Sequence, residues 1–154
     1  MSYESVRPVW RAVRDRFQKS MSALKPEELP LKLSDDTSSI GFMVRHNAEV
    51  EYMFAEWFFQ KPAPEGLIYQ TNGSSSDAYA FTHLSSLVAF SEASDHYLTQ
   101  AMEQLPAEAW DQPVTSPMGE CTPREALGRV LYHAGLHAGQ ISLIRKVAGQ
   151  ASRV

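Results

Sequence analysis

The chain has 154 residues, 44% apolar and 21% charged, which is the size and balance of one globular domain spanning residues 1–154. Fourteen Lys and Arg against eighteen Asp and Glu leave a net charge of −4, which argues against nucleic acid as a partner, because gripping phosphates needs a basic surface. The lone cysteine, Cys121, cannot close an internal disulfide, and there is no secretory start and no apolar run of membrane length, so a cytoplasmic protein is expected.

Four segments carry helical periodicity and none reads as a convincing strand. The first covers residues 3 to 21, with Val6, Val9, Trp10, Val13 and Phe17 at helical spacing and Pro8 near the start. The second begins between Asp36 and Ser39, where Asp and Ser can cap free N–H groups, and runs to Phe59. Met43, His46, Asn47, Val50, Met53, Phe54 and Trp57 mark one of its faces. Pro62 and Pro64 end it, and Thr71 to Ser76 reads as a loop. A third helix is expected from about Asp77 to Leu105, stopped by Pro106.

The connection that follows, 106 to 120, is long for a compact bundle and is expected to shape a site or an interface. The fourth helix has the best local signals. Thr122 stands at the N-cap, Pro123 at the first helical position and Glu125 at the third, a capping box; Gly149 is expected to close it. The fold class is therefore all-α, a four-helix bundle with long connections between helices 2 and 3 and between helices 3 and 4.

Five histidines divide by helical phase. His133 and His137 are four apart, so their rings project from one face, and that face carries Val130, Ile141 and Ile144. His46 shares a face with Met43 and Val50. Burying imidazoles is costly unless they are bonded, so three inward histidines call for a shared partner or for separate hydrogen bonds. A divalent transition metal (Zn, Ni or Fe) is the economical partner, and three separately satisfied core histidines is the other reading. His83, one turn from Leu87, is expected to line a pocket or pack, and His96 to face water.

His46 with the Asn-Ala-Glu-Val-Glu that follows it, and the run His133-Ala-Gly-Leu-His137-Ala-Gly-Gln-Ile141, resemble the two signature segments of the DinB-like superfamily. The resemblance implies a four-helix bundle with His46, His133 and His137 as metal ligands and open positions for water or substrate. It also implies a homodimer and thiol-dependent chemistry, as in relatives that use mycothiol or bacillithiol for isomerisation or S-transfer. The expected function is a metal-dependent enzyme that activates a thiol or water for a small-molecule substrate. A non-catalytic metal-binding or sensor bundle is the alternative.

Around these ligands, Gln140 is placed to hydrogen-bond the ring of His137, and Glu49 and Asn47 to do so for His46. Gly135 and Gly139 suggest close helix packing or room for a ligand.

Overall fold

The computed structural model describes residues 2–73 and 79–151. Helix α1 is Tyr3–Ser22, α2 is Ile40–Phe58, α3 is Leu84–Gln104 and α4 is Pro123–Ala151. Both expected caps form. Ser39 Oγ accepts from Phe42 N at 3.1 Å to start α2. Thr122 Oγ1 accepts from Glu125 N at 3.2 Å while Glu125 Oε2 takes Thr122 N at 2.7 Å to start α4.

Helix α2 packs against α3 and α4, and α1 packs against the same two, so α1 lies diagonally across the bundle from α2. The core falls into two apolar clusters. Trp10, Val50, Phe54, Leu98 and Val130 belong to one; Phe17, Val44, Leu87 and Ala134 belong to the other. The order in which each helix meets the clusters gives its direction: α1 and α4 run one way, α2 and α3 the other. Since α2 and its neighbour α3 are parallel, residues 59–83 must return along the length of α2, about 28 Å at ~1.5 Å per residue. That return is the origin of the long second connection.

Four expectations need correction. The third helix begins at Leu84 rather than near residue 77 (Ser74 to Asp77 lie outside the described residues). The reason is steric: a Cβ on Gly41 would stand 2.0 Å from the Phe81 carbonyl oxygen, so the returning chain crosses against the start of α2 in a non-helical path, with Phe81 at φ +47°. Residues 106 to 120 are not all loop. After a 3-10 turn, Ala107–Asp111, they form a hairpin of β1, Val114–Ser116, and β2, Gly119–Cys121, in register Val114↔Cys121 and Ser116↔Gly119. Gly149 does not cap α4, which continues to Ala151. Nor do Gly135 and Gly139 mark close packing, because nothing stands within 4 Å of a Cβ built on either.

Between the two clusters every helix contributes polar groups at one level. Arg14 lies between Trp10 and Phe17 on α1, Asn47 and Glu51 on α2, Ser91 and Ser94 on α3, and His133 on α4. Arg14 and Glu51 are both 0% exposed. Arg14 Nε donates to Glu51 Oε1 at 2.7 Å, Nη1 to Gln18 at 2.8 Å, and Nη2 to Ser91 O at 2.6 Å and Ser91 Oγ at 2.9 Å. The Ser94 hydroxyl donates to Glu51 Oε2 at 2.5 Å. Burial pushes the Glu51 carboxyl up, and Arg14 and Ser94 oppose it. A buried ion pair is costly to break one-sidedly. Arg14→Met is expected to lose about 3–5 kcal/mol in urea denaturation, and adding Glu51→Leu to recover most of that loss.

Candidate metal centre

The side chains of His46 on α2 and of His133 and His137 on α4 meet where the antiparallel pair packs. Ring centroids lie 5.0 Å apart for His46–His133, 5.4 Å for His46–His137 and 4.5 Å for His133–His137. One ligand nitrogen from each falls within 4.8 Å of the others. All three rings are half-buried.

Hydrogen bonds on the outer side of two rings fix which nitrogen faces inward. The Thr71 hydroxyl gives its proton to Glu49 Oε2 at 2.5 Å, so toward His46 Nδ1, 3.0 Å away, its oxygen acts as acceptor. His46 is thereby held as the Nδ1–H tautomer with a bare Nε2. Gln140 Oε1, 2.8 Å from His137 Nδ1, does the same for His137. His133 Nε2 stands 3.1 Å from His137 Nε2. Bare imidazole nitrogens at that distance repel unless a proton or a cation lies between them. Converging neutral nitrogens with polar backing are the donor set a divalent transition metal takes, so the residues fit such an ion.

Glu49 anchors this arrangement without touching a histidine. It is 0% exposed, and its carboxylate accepts from Arg45 Nε at 2.7 Å, Gln70 N at 2.7 Å, Thr71 N at 3.0 Å and the Thr71 hydroxyl. Its contact with His46 therefore passes through Thr71, which sequence analysis did not single out; no periodic signal marks residues 59–76. On the other side, Phe42 stacks on His46 at 5.7 Å and is met edge-on by Phe81 at 5.6 Å. Asn47 is buried in the polar layer, with neither amide atom hydrogen-bonded.

His83 is not brought to the cluster. It precedes α3, exposed, with Ser85 and Ser86 hydroxyls 3.3 and 3.0 Å from its Nδ1, and it lines a separate cleft with Arg45 and Gln70. His96 is exposed, its Nε2 2.8 Å from Gln100 Nε2.

Two clefts reach the triad. The larger, about 770 Å³, is lined by His46, His133, Val50, Phe54, Trp57 and Met118, the last carried by the hairpin turn. The smaller, about 320 Å³, is lined by His137, Gln140, Met43 and the segment around Thr37. An apolar cleft and a more polar one thus approach the same nitrogens.

The model of the DinB superfamily matches residues 10–141. The chain belongs to the DinB superfamily. Among solved structures, a DinB-like protein from Bacillus cereus ATCC 10987 aligns with TM-score 0.75 at 16% identity, covering 95% of this chain and 92% of that one. A DinB-like protein from Bacillus subtilis aligns with TM-score 0.68 at 15% identity, covering 91% and 89%. A mycothiol-dependent maleylpyruvate isomerase aligns with TM-score 0.67 at 18% identity, covering 92% of this chain and 61% of that longer one. At these identities the likeness is one of fold. No curated protein matches this chain. Among the described residues no helix is long and apolar enough to cross a membrane.

Burial, together with the charges of its two neighbours, holds His133 down to about 3, and burial lowers His46 and His137 as well. All three are neutral at pH 7, the form that binds metal. In the metal-free protein the unfolded imidazoles take up protons below pH ~6.5 while folded His133 does not, so the unfolded state gains and stability falls with acid. The unfolding free energy of the metal-free wild type in urea denaturation should drop from pH 6.5 toward pH 4, by at most about 1.4 kcal/mol per pH unit for each group. The drop should be shallower in His133→Gln.

Proposed function

We propose that the chain is a metal-dependent enzyme of the thiol-transfer type, holding one divalent transition ion on His46, His133 and His137. The observation that carries this reading is the convergence of three neutral imidazoles, two of them backed at Nδ1 by Thr71 and Gln140. Such an ion, when bound, lowers the pKa of a coordinated thiol and presents it as a thiolate at neutral pH.

The chain's own residues supply the rest. The Glu49–Thr71 pair holds the His46 ring and its tautomer, and Gln140 holds His137. The apolar cleft beside His46 and His133 takes the body of the electrophile, with Trp57 and Met118 excluding water. A thiol rather than water is favoured as nucleophile because Glu49, the acidic residue nearest in sequence to the ligands, already has four donors on its carboxylate and is sealed from solvent. It is not available as a general base. The fold shared with a mycothiol-dependent isomerase supports the same choice and suggests a low-molecular-weight thiol as co-substrate. Such thiols are kept reduced in the cytoplasm, the compartment this reading assigns.

Protein purified without a histidine tag is expected to carry about one transition-metal equivalent per chain by elemental analysis, and His46→Ala or His133→Ala to lose it. Conjugation of a chromogenic aryl halide by a low-molecular-weight thiol should follow the metal content. A wild type that neither carries metal nor shifts its melting temperature with zinc or nickel overturns the proposal. A metal-loaded protein inert across both thiol and hydrolase panels favours the binding module.

The reading includes a homodimer. Tyr132, Leu136, Leu143 and Val147 are 72, 43, 50 and 45% exposed and fall on one face of α4, a contiguous apolar stripe beside the ligand face. Leu143→Glu with Val147→Glu is expected to convert a dimer to a monomer in analytical ultracentrifugation.

A further inference from the structure

Asn47 is 1% exposed, yet neither its Nδ2 nor its Oδ1 has a hydrogen-bond partner. The Nδ1 of His133 is likewise buried and unpaired. Buried polar groups almost always find partners, so two such orphans in one layer call for an explanation.

They share a level in the bundle. On α2, Asn47 lies between Val44 of one apolar cluster and Val50 of the other; on antiparallel α4, His133 lies between Ala134 and Val130 of the same two clusters. The residue before Asn47, His46, brings its ring within 5.0 Å of the His133 ring. The other polar groups of the layer are committed, since Arg14, Glu51, Ser91 and Ser94 bond one another. Of the three imidazoles, His46 has Thr71 at Nδ1 and His137 has Gln140, while His133 has no acceptor. Asn47 has a free acceptor in the same layer.

We infer that Asn47 is the positioning residue for His133. Its side-chain carbonyl takes the Nδ1 proton of that ring through one bridging water, and so turns the His133 Nε2 lone pair toward His46 and His137. The sequence neighbour of one ligand thereby orients another ligand on a different helix. The purpose of this contact rests on the metal reading above, whereas the hydrogen bond itself does not.

Three measurements on Asn47→Leu and Asn47→Asp separate positioning from packing. Nitrogen-15 NMR of the metal-free protein reports the His133 tautomer, zinc competition against a chelator reports affinity, and thermal melting reports packing. The wild type should show His133 as the Nδ1–H tautomer, its bare Nε2 drawing apart from that of His137 when no ion lies between them. Asn47→Leu should alter that ring's nitrogen shifts and weaken zinc binding about 10- to 100-fold. Its melting temperature should fall by no more than the loss of one buried hydrogen bond, because the replacement is apolar and of similar size. Asn47→Asp, which keeps an acceptor, should retain zinc affinity. An Asn47→Leu protein with unchanged zinc affinity and unchanged His133 shifts overturns the inference and leaves Asn47 a packing residue. A wild type that binds no zinc overturns the metal reading instead, and the NMR arm still decides the Asn47–His133 bond.

Discussion

Arg14 and Glu51 meet at the centre of the bundle with no access to water, and the rest of the architecture is arranged around that fact. An isolated charge there would be prohibitively costly, so the guanidinium and the carboxylate need each other and further partners. Those partners come from α1 and α3, through Gln18, Ser91 and Ser94. The pair spans the diagonal between α1 and α2, which otherwise contribute to the core from opposite corners. It sets the level at which the two apolar clusters stop, and the histidine cluster sits on the edge of the same level. A bundle held only by apolar contacts could slide or rotate its helices at small cost. The buried ion pair ties α1 to α2 at one level, and in the observed register His46 stands opposite His133 and His137.

The second constraint is the direction of α3. Parallel neighbours cannot be joined by a short turn, so the chain must travel back beside α2 before α3 can begin. On the way it lays Gln70 and Thr71 over the Glu49 carboxylate and crosses Gly41 at Phe81. Both contacts bear on the site. Thr71 sets the proton on His46, and Phe81 supports Phe42, which stacks on the same ring. A topological requirement thus becomes a set of outer contacts around a ligand. The α3–α4 connection plays a comparable part, because its hairpin brings Met118 to the apolar cleft and Trp110 into the core against Phe59.

Much of this was legible in the residue pattern. The four helices, the capping box at Thr122 and Glu125 and the inward phase of His46, His133 and His137 all follow from 3.6-residue periodicity and side-chain chemistry. These are local properties: a capping hydroxyl is three residues from the N–H it binds, and two histidines four apart share a face wherever the helix goes. Other features were not legible for the complementary reason. Thr71 sits in a segment without periodicity and acquires its role from Glu49, 22 residues earlier. The α3 start was misplaced because the helical pattern of residues 79–83 is overridden by a crossing contact with Gly41, which no local rule contains. The hairpin at Val114–Cys121 is short, and its strands carry too few alternating residues to stand out from a loop.

The sequence by itself therefore determined which residues could act: three imidazoles on inward helical faces, and three neighbouring groups, Gln140, Glu49 and Asn47, able to back them. Only the tertiary structure decided how they act together. It placed the two histidine-bearing helices antiparallel and in contact, routed Thr71 between Glu49 and His46, kept His83 away, and left Asn47 and the Nδ1 of His133 both unpaired. The reason is physical. Periodicity specifies the face a side chain leaves from, whereas distances between faces depend on helix direction and register, which the packing of all four helices around the two apolar clusters and the Arg14–Glu51 pair sets.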